Sequence, residues 1–214
     1  MRGPSAIRQL LETLSTISPK GPAPAFKPQH LLYVLLILGE RGPLGRKRLS
    51  ESMGLGEGSI RTILQRLGRL GLVSMSRGGH GLSDVGRELY SALSSQLFGP
   101  RLVGFELPIK ARYAAGVVVR GLGEVVRSGV NERDAAVKAG ADAALIFVFR
   151  DGKLLMPPES NITSEQPKLA EDISREFKPG EEDVIIIAGA KDPQTASYAA
   201  LAAGLTLLQA GKLT

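Results

Sequence analysis

The sequence contains no cysteine. Disulfides, cysteine-ligated zinc, iron–sulfur clusters and thiolate catalysis are thereby excluded, and the absence fits a reducing cytosol. Long apolar runs are missing too. The longest covers residues 31–38, whereas a bilayer span needs about 20 residues. The first residues lack the charged-then-apolar pattern and small-residue cleavage site of a signal peptide. A cytoplasmic protein without a membrane partner is the expectation. Histidine occurs only at His30 and His80, so residues 100–214 hold neither His nor Cys. Common acid–base and nucleophilic arrangements lack their usual parts there, and no spacing suits a metal. No enzyme, metal or cofactor is expected.

What is present is a chain of 214 residues, 43% apolar. That is enough to bury a real core in two small domains or one large one. The net charge of +6 is uneven. Residues 1–99 carry 13 Lys/Arg against six Asp/Glu, and residues 100–214 carry 14 against 15. The whole positive excess lies in the first half, where a polyanion is the simplest partner and an unpartnered solvated surface the alternative.

Hydrophobic spacing and helix-stop residues divide the chain. Residues 5–17 place Ile7, Leu10, Leu11, Leu14 and Ile17 on one helical stripe. Pro19, Pro22, Pro24 and Pro28 then favour an extended segment. Helices are predicted at 29–40, 44–53, 57–70 and 84–97. A strand at 72–77, a turn at 78–81 and a return strand beginning at 82 lie before the last of them. Gly71 is expected to close the third helix in the left-handed conformation. Phe98-Gly99-Pro100 reads as a break and as the domain boundary. Strands follow at 102–109 and 113–119, a helix at 131–139, and a hairpin at 144–156. The chain closes with helix 165–177, buried strand 184–188 and helix 193–209.

The order helix, helix, break, helix, strand, glycine turn, strand over residues 29–83 resembles winged helix-turn-helix transcriptional regulators. Residues 49–61, LSESMGLGEGSIR, look like the two helices and tight turn of such a unit. Residues 67–73, LGRLGLV, resemble the junction from recognition helix to wing, and residues 81–87, GLSDVGR, the wing exit. The two-domain layout resembles an uncharacterised archaeal winged-helix family. The resemblance implies an α+β chain: an N-terminal amphipathic helix and Pro-rich linker at 1–27, a winged helix-turn-helix domain at 28–98, and a small α/β sandwich domain at 99–214.

Helical phase tests the resemblance independently. Ile60, Ile63, Leu64, Leu67 and Leu70 share one face of helix 57–70. Gly58, Arg61, Thr62, Gln65 and Arg69 lie opposite. Arg61 can donate two hydrogen bonds to guanine, Gln65 can pair with adenine, and Thr62 can touch a thymine methyl or a phosphate. Ser59, near the helix start, and Arg66 and Arg69, toward its flank and end, suit phosphate. Arg46, Lys47 and Arg48 can neutralise backbone phosphates, and Arg77 and His80 flank the glycine turn. The bland alternative is a solvated amphipathic helix.

In the second half two groups stand out. Arg133 and Asp134 form a local charge pair after Asn131, a possible cap. Lys191, Asp192, Gln194, Thr195 and Ser197 lie at a strand-to-helix junction of the kind that binds anions, although Asp192 capping the helix with Pro193 at its first position explains the same residues. A sequence-specific duplex-DNA-binding regulator is expected, acting as a homodimer through a C-terminal domain that can also sense a small-molecule effector. A protein- or RNA-interaction module is the alternative, and a small-molecule enzyme in the second half a weaker one.

Overall fold

A computed structural model describes residues 26–158 and 160–211. The amphipathic stripe expected at 5–17 and most of the Pro-rich segment lie outside these residues. The fold is α+β and divides between Ser94 and Ser95 into two compact units.

The first unit is mostly helical. Helix α1 (Pro28–Arg41) begins on Pro28 and buries an unbroken run from Val34 to Leu38. Helix α2 (Arg46–Met53) turns in Leu49 and Met53. Helix α3 (Glu57–Arg69) turns in Ile60, Ile63, Leu64 and Leu67. Gly71 follows with φ 69°, the left-handed conformation expected of it. Strands β1 (Val73–Ser76) and β2 (Gly79–Leu82) pair antiparallel. Helix α4 (Asp84–Ser94) packs the Tyr90 ring against Gly39 of α1, where a side chain would collide with it. Ser83 caps the start of α4, its hydroxyl accepting from the Gly86 N–H at 3.0 Å.

Two local expectations are corrected. Leu44 is outside α2, because its N–H and C=O both bond to the main chain of His80 at 2.9 Å. Residues 79–81, expected in the turn, are strand residues of β2. Glycine at 79 allows this: φ is 115°, and a Cβ would stand 2.5 Å from the Leu44 carbonyl.

The second unit is a six-stranded antiparallel sheet in the order β3-β4-β8-β5-β6-β7. Its strands are β3 (Leu97–Leu102), β4 (Tyr113–Val119), β5 (Ala143–Arg150), β6 (Lys153–Met156), β7 (Ser160–Asn161) and β8 (Asp183–Ala190). Interleaved with them are a short 3₁₀ turn at Gly123–Val125 and helices α5 (Val130–Lys138), α6 (Ile162–Glu165), α7 (Pro167–Phe177) and α8 (Pro193–Ala210). All eight residues of β8 are buried, as a central strand covered on both faces requires. On one face Val118, Phe147, Ile185 and Ile187 meet Ile162, Leu169, Ile173 and Phe177. On the other, Leu97, Val117 and Val119 approach α8 at Gly204.

The expected break at residues 98–100 is corrected: these residues lie inside β3, and the strand expected at 102–109 is largely irregular. Leu97 and Phe98 pair with Val119 and Val118, and the register shifts before Arg101. An outer strand tolerates this interruption because only one of its sides is hydrogen-bonded. Asn131 is not the cap of α5; Gly129 is, with φ 70°.

A charged cluster ties the turn before β8 to its neighbours. Arg150 donates to both carboxylate oxygens of Glu182, at 2.5 and 2.8 Å. That guanidinium holds Glu182 below the ordinary carboxylate value. Asp183 accepts from Arg120 at 2.5 Å and from the Gly121 N–H at 3.0 Å.

Candidate nucleic-acid interface

Helix α3 is amphipathic as the sequence spacing requires. Its apolar stripe is closed against the unit's core, while Arg61, Gln65 and Arg69 on the far side are exposed. Thr62 is half-buried and its hydroxyl donates to the Gly58 carbonyl at 3.0 Å. Ser59 is half-buried near the helix start.

Arg66 is more confined than the others. Its guanidinium stacks 4.8 Å from the ring centre of Phe26, which is itself buried. The segment entering α1 is thus fastened to α3. Phe26 was not among the expected site residues; its signal was a lone aromatic closing a Pro-rich stretch.

Arg46, Lys47 and Arg48 open α2 and are exposed. Arg77 is exposed at the β1–β2 turn. Among the described residues, none of Arg46, Lys47, Arg48, Arg61, Arg69 and Arg77 is in a salt bridge. Met75 on β1, 79% exposed, adds an apolar side chain to the same hairpin as Arg77.

His80 is half-buried, and its Nδ1 is buried without a hydrogen-bond partner. Burial of the ring lowers its pKa below the ordinary 6.5, and the neighbouring Arg46 charge lowers it further. His30 makes a reciprocal contact with Lys27 at the start of α1, its Nδ1 accepting from the Lys27 N–H at 2.8 Å, which is a structural role.

The second group of expected residues closes on itself. Asp192 caps α8, accepting from the N–H and the hydroxyl of Thr195, each at 2.8 Å. Ser197 is buried and donates to the Pro193 carbonyl at 2.9 Å. Lys191 is exposed and Gln194 half-buried. Arg133 and Asp134 lie 3.7 Å apart on the exposed side of α5. A cavity of about 470 Å³ in this unit lies elsewhere, lined by Phe105, Leu107, Pro108, Pro167 and Leu169 among others.

Residues 30–88 match the family "PH0730-like, N-terminal domain", and residues 110–207 match "Domain of unknown function (DUF4443)". Together these matches fit an uncharacterised two-domain archaeal family. A particular solved structure similar to this chain is the hypothetical protein PH0730 from Pyrococcus horikoshii OT3. It is 28% identical with a TM-score of 0.69, over 86% of this chain and 94% of that one. No curated protein matches. Among the described residues, no helix is long and apolar enough to cross a membrane.

Proposed function

We propose that the first unit is a winged helix-turn-helix domain that binds duplex DNA, with α3 in the major groove and the β1–β2 hairpin as the wing. The chain then acts as a transcriptional regulator, pairing with a second copy so that two reading helices meet two half-sites. The observation that carries the reading is the outer face of α3. Arg61 and Gln65 project from a helix whose opposite side is packed, and among the described residues no acidic side chain is in a salt bridge with Arg61. Arginine and glutamine at such positions match the paired acceptor and donor patterns of guanine and adenine. Arg46, Lys47, Arg48, Arg69 and Arg77 supply the cations for phosphate contacts, which orient a reader without specifying sequence. Stacked on Phe26, Arg66 is held at the flank of the reading face.

A duplex selected from a random pool provides the test. The wild-type affinity is expected to fall steeply with salt, because each neutralised phosphate releases counterion. Replacing Arg61 and Gln65 together by alanine is expected to lower affinity for the selected duplex roughly thirtyfold or more, at about 1–3 kcal/mol for each paired contact. The unfolding temperature should hold, since both side chains are exposed. A folded double variant with unchanged affinity refutes the reading face. Tighter binding of structured RNA or an acidic protein than of any duplex would favour an interaction module instead.

A further inference from the structure

We infer that the outward face of α5 is where two copies of this chain meet, antiparallel about a two-fold axis. The inference rests on the proposed pairing with a second copy and names the surface that performs it. Helix α5 turns Glu132 and Ala136 inward. Its outward stripe is Val130, Arg133, Asp134 and Val137, at i, i+3, i+4 and i+7, which one helical face brings into a row. Val130 is 43% exposed and Val137 48%. The side chains of Arg133 and Asp134 are 55% and 52% exposed. Valine is a mediocre helix former, so at these half-covered positions it gains the isolated chain nothing in helix propensity and only part of its full burial.

The order within the stripe selects the partner. It runs apolar, cation, anion, apolar, and the positions are symmetric about the point between residues 133 and 134. Adjacent residues of a helix diverge by about 100°, which agrees with the loose 3.7 Å contact within one chain. An antiparallel second copy sets its Val137 against Val130 and its Asp134 against Arg133. The same contacts recur on the other side of the axis. Two salt bridges and two apolar contacts then form from one patch, the self-complementarity that a two-fold interface demands. A parallel copy would set arginine against arginine. An unrelated partner would have no need of a patch that complements itself.

Nine residues of helix span only about 13 Å, so the contact is small beside stable dimer interfaces. The association is weak in free solution and is strengthened when neighbouring half-sites hold both copies.

Sedimentation equilibrium of the full chain, from low micromolar to near-millimolar concentration, tests this without DNA. The wild type is expected to self-associate. Arg133→Asp sets two carboxylates against each other and should weaken association about tenfold, as should Asp134→Arg, which opposes two cations. Combining the two exchanges restores opposite charges across the axis and should return affinity to within about threefold of wild type. Val137→Lys should weaken it without using the charge pair. All these positions are exposed, so circular dichroism and unfolding temperature are expected to stay at wild-type values. A wild type that remains monomeric throughout overturns both the pairing and the face. Dimers indifferent to Arg133→Asp and Val137→Lys, or a folded double exchange that fails to recover, overturn the face and leave the pairing standing.

Discussion

At His80, packing and charge act on the same ring. Its main chain is bonded on both sides to Leu44, its Nδ1 is buried without a partner, and Arg46 lies close enough to disfavour a second positive charge. The folded protein therefore binds a proton at this site less readily than the unfolded chain does. Stability from the neutral ring is complete above the unfolded pKa and is lost as pH falls through the lower folded value. The first unit is expected to lose thermal stability as pH falls below about 6.5, with His30, whose burial also lowers its pKa, contributing to the loss. His80→Gln should make that slope shallower, leaving the part that belongs to His30, and a variant with the wild-type slope would remove His80 as a cause. Little of this was readable in advance. The sequence places a histidine among glycines, but only the bridge to Leu44 explains why the ring is confined.

Among the elements, those with a strong apolar period were legible and those defined by partners were not. The stripe Ile60, Ile63, Leu64, Leu67 is buried in α3 as its spacing requires, and Asp192-Pro193 starts α8 as cap and first residue. By contrast β3 has no alternation to reveal it. Its Gly99-Pro100 step reads as a boundary until β4 is present to pair with its two ends. Glycines in β2 read as a turn because the close approach of Leu44 is a tertiary fact. In the candidate site, Arg61 and Gln65 followed from helical phase alone, whereas Phe26 under Arg66 required two segments distant in sequence. One junction gives a direct test. A Cβ at Gly86 would stand 2.0 Å from the Leu72 carbonyl oxygen, which is backbone and cannot swing aside. Gly86→Ala is expected to destabilise the first unit by about 1–3 kcal/mol, the usual cost of overpacking, read as a lower denaturation midpoint. An unchanged midpoint would show that α4 shifts freely along β1.

On the scale of the whole molecule, the positive excess belongs to the first unit and a nearly balanced charge to the second. The balanced unit contains the six-stranded sheet, whose two outer strands are β3 and β7. Sheet edges are hazardous, since unpaired main-chain groups can recruit strands from other molecules into fibrils. Here one rim is only two residues long. The other contains Pro100, which has no N–H to lend, beside a register shift. Pro100→Val should therefore raise thioflavin fluorescence and shorten the lag of fibril growth on mild heating. Kinetics identical to the wild type would assign the protection elsewhere. Polymerisation strand upon strand is thus hindered at both rims of the six-stranded sheet, so a crowded solution of the chain meets no long flat template there on which a cross-β stack could start.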